Sequence, residues 1–99
     1  MTQRLPEDCG SMAELRVEID QLDRQLIELL AKRTTYIDRA AVLKQSEKMP
    51  ARITSRVEEV VDNVKQLAKQ NNLDPAIAEI VWRDLIEWSI AKEEKVLGK

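Results

Sequence analysis

Two cations lie on the apolar face of a predicted helix. Steps of about 100° per residue place Arg33 and Lys44 in the middle of this face. The face itself is formed by Leu15, Ile19, Leu22, Leu26, Leu29, Leu30, Ile37 and Ala40. A charge taken out of water is very costly without a partner. The pattern therefore predicts an anion beside both cations, either a carboxylate of the chain or a bound ligand.

Each cation also has a simpler interpretation. Arg33 can be an ordinary buried arginine that pairs with a carboxylate of another helix, and Lys44 can extend its ammonium group to water near the helix end. Their separation of eleven residues, about 16 Å along the axis, leaves a gap that fits a small dianion. A pocket of this kind suits a reaction that needs orientation and charge stabilisation but no nucleophile.

Three other arginines extend the candidate site. Arg16 lies off the centre of the apolar face, so it is expected to face a partner subunit or solvent. Arg52 and Arg56 begin a second predicted helix, one turn apart. Cations oppose the helix dipole at that end, which indicates that at least one of them meets a ligand.

Two polar residues interrupt the apolar stripe of a third predicted helix. Ser89 lies near its centre and either lines a site or bonds back to a preceding carbonyl. Glu93 lies one turn further on. It pairs either with Lys92 or Lys95 in solvent or with Lys44 internally.

Composition excludes several other chemistries. The chain has no His and a single Cys9, so it offers no Ser-His or Cys-His nucleophile, no internal disulfide and no usual zinc site. It has no Gly-rich phosphate loop and no glycosidase-type carboxylate pair on an apolar face. A metal site of Asp and Glu alone stays open, but the cationic pocket argues against it. We predict neither metal nor cofactor.

Net charge and the length of apolar runs also limit the partners and the location that we expect. A net charge of -2 and a pI near 5.2 argue against a nucleic-acid partner. No apolar run approaches about 18 residues, and the first residues lack a hydrophobic signal region, so no membrane partner is expected. A reducing, cytoplasmic setting fits best.

The elements that position these groups are helices, so we predict an all-α fold. Residues 1–10 are expected to form an N-terminal arm and residues 11–99 a helical domain. The first helix is predicted from about Met12 to Ser46, with Ser11 and Glu14 as a capping box. The second is predicted from about Thr54 to Gln70, capped by Thr54 or Ser55. The third is predicted from Pro75 to about Leu97, capped by Asp74. The third helix is expected to bury Ala78, Val81, Trp82, Leu85, Ser89 and Val96, with Ile86 at one side.

The first helix is too long for one small globule. Its predicted length is on the order of 50 Å, whereas a compact chain of this size has a radius of gyration of about 13 Å. Its apolar face continues into the overhang and needs cover. An intertwined homodimer that shares the long helices is the simplest arrangement.

Three segments in order resemble the all-helical chorismate mutases, a family that also contains the isochorismate-pyruvate lyases. They are LRVEIDQLDRQLIELLAKR, with an early Arg, I-D-x-L-D and a later Arg; KQSEKMPARITSRVEEV, with Lys, a Pro-containing loop and Arg; and NNLDPAIAEIVWRDLIEWSIAKEE, entered through L-D. The resemblance covers about Leu15 to Leu97. The N-terminal PEDC is more similar to the lyase branch.

The resemblance implies substrate-binding roles for four residues. Arg16 matches an arginine that reaches across the dimer to a substrate carboxylate, and Arg33 matches the carboxylate-binding arginine of the same subunit. Arg56 matches an arginine near the ring carboxylate. Ser89 matches a polar position that lines the site.

The resemblance also implies two catalytic residues, which bind the substrate as well. Lys44 matches a lysine that donates to the ether oxygen and to a carboxylate. Glu93 matches a position where many members have Gln and some have Glu, and it can donate only when protonated. Burial favours the protonated form and the nearby Lys44 opposes it, so both states stay open.

Two departures from the family pattern bear on the substrate. Ile53 and Val57 stand where typical mutases have acidic residues, so a substrate hydroxyl must be held differently. The main interpretation is a chorismate mutase that converts chorismate to prephenate. The alternatives are an isochorismate-pyruvate lyase that gives salicylate and pyruvate, and a non-catalytic helical dimerisation module.

Overall fold

The computed structural model describes residues 3–98, and this part of the chain forms three α-helices and no strand. The helices are α1 (Met12–Glu47), α2 (Thr54–Gln70) and α3 (Pro75–Leu97), preceded by a short 3-10 turn at Pro6–Asp8. The all-α prediction is confirmed, and the predicted ends agree with the observed ones to within one residue. Residues 1, 2 and 99, which the predicted arm and domain include, lie outside the described residues.

Side chains cap two of the helices, as predicted. Ser11 Oγ accepts a hydrogen bond from the Glu14 backbone N–H at 3.2 Å. Glu14 Oε1 accepts from the N–H of Gly10 at 2.8 Å, so the reciprocal bond reaches the residue before the cap instead of Ser11 itself. At α3, the Asp74 side chain accepts from the Ala76 N–H at 2.9 Å.

The predicted cap of α2 by Thr54 or Ser55 is wrong. The N-cap is Ile53, whose extended backbone directly precedes the helix and whose side chain makes no cap hydrogen bond. The Ile53 carbonyl already accepts from the N–H groups of Arg56 and Val57. Thr54 and Ser55 are therefore inside the first turn, beyond the position from which a hydroxyl caps a helix.

The chain divides into two compact units, Met1–Thr35 and Tyr36–Lys99. In the first unit, the arm folds back on the start of α1 and is held by Glu18. This carboxylate accepts from the Arg4 N–H at 3.1 Å and lies 3.6 Å from the Arg4 guanidinium. The α1 surface of this unit is strongly apolar, with exposed Val17, Ile19, Leu22, Leu26, Ile27 and Leu29.

The second unit contains the last turns of α1, the connecting segment 48–53, α2 and α3. Helix α2 packs on α3. The core between them consists of Ala51, Val61, Ile86 and Ile90, with Val57, Val60 and Leu97 packed against it. Arg83 on α3 forms ion pairs with Glu58 on α2 and with Glu79 on its own helix.

The predicted apolar face of α3 agrees only in part with the residues that are buried in the single chain. Val81 and Val96 are 42% and 49% exposed, whereas Ile90, which was not expected, is buried. The apolar residues of α3 occur all around the helix, so their spacing alone does not select one face. Contact with Val61 selects the side that carries Ile86 and Ile90.

No helix within residues 3–98 combines the length and apolarity needed to cross a bilayer.

Candidate active site

A buried ion pair joins the end of α1 to α3. The Lys44 Nζ lies 2.7 Å from Oε1 of Glu93, and the side chains are 19% and 5% exposed. The same ammonium donates a hydrogen bond to the Ala51 carbonyl at 2.6 Å. Lys44 is thus held from two sides, and the internal pairing of Glu93 that was one of the open alternatives is the one observed.

Glu93 keeps unused hydrogen-bonding capacity. Its Oε1 is buried, and the ammonium approaches it as an ion pair without the angle of a hydrogen bond, so this oxygen has no directed donor among residues 3–98. Buried polar atoms without a hydrogen-bond partner are rare in native proteins. This oxygen can accept a hydrogen bond from a ligand.

Ser89 shares the buried face of Glu93. The two residues are four positions apart on α3 and are both buried, so they are neighbours on one helix side. The solvent-side pairing of Glu93 with a neighbouring lysine is not observed for Lys92. That ammonium lies 2.9 Å from Asp38 on α1 and over the ring of Trp88 instead.

Lys44 also lines an open cleft of about 450 Å³. Its other lining residues are Gln45, Lys48, Met49, Pro50 and Leu97. A volume of this order is within the range of small-molecule sites. Residues 3–98 contain no group of three or more His, Cys, Asp or Glu side chains arranged to hold a metal ion.

The two arginines near the start of α2 have carboxylate partners. Arg56 is exposed and pairs with Glu59 on its own helix. Arg52 forms a two-pronged pair with Glu87 on α3, at 2.8 and 2.6 Å. This pairing raises the pKa of the Arg52 guanidinium and lowers that of the Glu87 carboxyl, chiefly through the hydrogen bonds between them.

The other two predicted site residues belong to the first compact unit. Arg16 is exposed and Arg33 is half-buried. Neither forms an ion pair with a carboxylate in residues 3–98. The interpretation of Arg33 as an arginine paired with another helix of its own chain therefore finds no partner in the described part.

Sequence reasoning missed two contacts made by the segment that follows α1. The Ala51 carbonyl is a backbone group, so the residue type does not indicate that it accepts a hydrogen bond from Lys44. Glu87 lies on the exposed side of α3, and only the path of segment 48–53 brings Arg52 to it. The only sequence signal for the Arg52–Glu87 pair was the opposite charge of the two residues. The chain has 16 basic and 18 acidic residues, so opposite charge alone does not identify a pair.

We expect Lys44→Met to lower the free energy of unfolding by about 3 kcal/mol, because Glu93 would stay buried without its counter-charge. The double variant Lys44→Met, Glu93→Gln should recover part of this loss, since a neutral amide needs no counterion. Urea denaturation at neutral pH and fixed protein concentration measures both. As a control, Lys92→Met removes a more exposed pair and should cost less than about 1 kcal/mol. Equal stability of the single and double variants would contradict the coupling.

Comparison with known proteins is consistent with this geometry. Residues 15–94 match the family described as chorismate mutase type II. The isochorismate pyruvate lyase of Pseudomonas aeruginosa is 32% identical over 93 residues, which cover 93% of this chain and 90% of that protein. The chorismate mutase of Methanocaldococcus jannaschii is 28% identical over 86 residues, 87% of each chain. A bifunctional chorismate mutase/prephenate dehydratase of Buchnera aphidicola is 28% identical over 90 residues, 91% of this chain and 23% of that protein.

The family match spans most of the sequence and includes the buried Lys44–Glu93 pair, so this chain belongs to the type II chorismate mutase family.

Proposed function

We propose that the protein is a chorismate mutase, an isomerase that converts chorismate to prephenate and serves aromatic amino acid biosynthesis. The observation that carries this proposal is the half-buried Lys44, held by buried Glu93 and the Ala51 carbonyl within the segment that matches the family. The reaction is an intramolecular rearrangement that needs no nucleophile, metal or cofactor. A fixed cation can therefore supply much of the catalysis.

Lys44 stabilises charge on the substrate's ether oxygen. As the C–O bond breaks ahead of C–C bond formation, negative charge grows on this oxygen. A preorganised ammonium attracts the oxygen more strongly in the transition state than in the ground state. Glu93 donates a second hydrogen bond to the same oxygen when it carries a proton.

The arginines bind the two carboxylates of the substrate. Arg33 of one subunit and Arg16 of the partner subunit hold them, with the two-pronged geometry that guanidinium and carboxylate groups share. The enolpyruvyl side chain is then kept over the ring in a reactive pose. This assignment is supported by the family resemblance and by the lack of an ion pair at either arginine within residues 3–98.

Arg56 and Ser89 complete the binding site in this proposal. Arg56 binds the ring carboxylate of the substrate. To do so, it breaks its exposed ion pair with Glu59. Exposed ion pairs of this kind are weak, so the exchange is inexpensive. Ser89 is buried beside Glu93 and supplies a hydroxyl to the lining. With apolar Ile53 and Val57 in place of acids, backbone groups hold the substrate hydroxyl.

The active form is a homodimer in this proposal. Apolar side chains on the α1 surface of the first unit are exposed in the single chain, and Arg16 needs a second subunit to reach a substrate. The helical domain of residues 11–99 forms the dimer, and residues 1–10 remain an arm. The single Cys9 is unpaired, which suits a reducing compartment, so we place the protein in the cytoplasm.

Sedimentation equilibrium is expected to give twice the chain mass of 11.4 kDa, because burial of the α1 surface drives association. Leu26→Asp should weaken the dimer, since it places a charge on that surface. Lys69→Asp changes charge at an exposed position on α2 and serves as a control. A monomer that retains full activity would contradict the dimer.

The isochorismate-pyruvate lyase is the second candidate. It is favoured by the 32% identity to a lyase and by the apolar residues Ile53 and Val57. Chorismate and isochorismate are close isomers, and both reactions stretch the same type of ether bond. The same cations would serve either reaction, so the groups that meet the ring hydroxyl of the substrate decide between them.

Incubation with each substrate separately tests the two functions. Chorismate is expected to give prephenate, and salicylate from isochorismate as the faster reaction would establish the lyase instead. Lys44→Met, checked for folding by circular dichroism, should lose about 100- to 1,000-fold in kcat, as for the loss of one oxyanion donor. No turnover of either substrate, with no thermal stabilisation by a dicarboxylate analogue, would support the dimerisation module.

A donor role for Glu93 would make turnover depend on pH. If the carboxyl donates to the ether oxygen, turnover falls as the pH rises and the proton is lost. Glu93→Gln keeps a donor at every pH and should flatten the profile of kcat against pH. The profile is measured over the range in which dichroism shows the folded protein. A flat wild-type profile over this range would remove Glu93 as a donor.

A further inference from the structure

The segment between α1 and α2 holds the catalytic lysine through its backbone. Ala51 is buried in the core beside Val61 and Ile86, and its carbonyl accepts the 2.6 Å hydrogen bond from Lys44. A carbonyl cannot follow the ammonium by rotating a side chain. The direction of the Lys44 ammonium therefore depends on where segment 48–53 lies.

The next residue fixes that segment to α3. Arg52 presents its two terminal nitrogens to the two carboxylate oxygens of Glu87, at 2.8 and 2.6 Å. A two-pronged contact between planar groups restrains both distance and orientation, which a single contact with an ammonium does not. Glu94, also on α3, adds attraction for the same guanidinium.

These contacts close a ring. Lys44 contacts Ala51 and Glu93, Arg52 follows Ala51, and Glu87 lies six residues before Glu93 on α3. Six residues are about 9 Å along a helix, so α3 holds the segment at one point and the ammonium at another. If the Arg52–Glu87 pair opens, segment 48–53 can shift, and Lys44 loses the Ala51 carbonyl as one of its two partners.

We propose that Arg52 and Glu87 are positioning residues that aim the Lys44 ammonium through the Ala51 carbonyl. This inference rests on the proposed function, in which Lys44 acts on the substrate. The pair lies on the surface, where ion pairs add little to stability. Its removal should therefore affect turnover much more than folding.

Arg52→Gln and Glu87→Gln test the positioning. Each should lower kcat about tenfold and leave KM within about twofold, well short of the 100-fold loss that a 1 Å misplacement can cause. The charge exchange Arg52→Glu, Glu87→Arg should restore part of the lost kcat, because the attraction is rebuilt in reverse. Arg83→Gln is the matched control. It removes a similarly exposed pair between α2 and α3 but leaves segment 48–53 alone.

A second measurement needs no turnover. The rate at which an amine-reactive anhydride modifies Lys44, followed by peptide mass spectrometry, should rise in both single variants and fall again in the exchanged pair. Arg83→Gln should leave this rate at the wild-type value. Unchanged modification of Lys44 in Arg52→Gln and Glu87→Gln overturns the positioning role, as does a loss confined to KM. An inactive wild-type enzyme refutes the proposed function, while the modification rates still decide whether the pair positions Lys44.

Discussion

A partly buried ammonium group needs a compensating charge, and two separate parts of this fold meet that need at Lys44. Glu93 supplies the charge from α3, and the Ala51 carbonyl supplies a directed acceptor. Glu93 is distant from Lys44 in the chain, whereas Ala51 is seven residues beyond it, in the segment that follows α1. Lys44 thus contacts both α3 and segment 48–53. The same side chain contributes to stability and to the candidate chemistry.

Local features of the fold were predictable, and features that depend on distant contacts were not. Apolar spacing and the caps at Ser11 and Asp74 locate the helices, because each acts within a few residues. The cap of α2 was mispredicted because a hydroxyl type does not reveal where its helix begins. The face of α3 that is buried in the single chain was predicted only in part, because its apolar residues surround the helix. The family resemblance identified most residues of the candidate site. The pairing of Arg52 with Glu87 could not be predicted, because it depends on the path of segment 48–53.

Shared charges explain how one scaffold can support two related reactions. A cation at the ether oxygen and arginines at the carboxylates are needed whether the substrate is chorismate or isochorismate. Discrimination must come from groups that meet the ring hydroxyl, where the two isomers differ. In the proposed site that region holds apolar Ile53 and Val57 at the start of α2. The proposal therefore assigns specificity to shape and backbone groups more than to a carboxylate.

The pairing of Lys44 with Glu93 also affects how a substrate arrives. An ammonium that is neutralised by a carboxylate 2.7 Å away projects little field into solvent. The chain as a whole carries a net charge of -2, so neither this pair nor the net charge attracts a dianion over a long distance. Electrostatic attraction of such a ligand would have to come from cations without an ion pair within residues 3–98, such as Arg16 and Arg33. Its contribution to the association rate would then fall as the ionic strength rises.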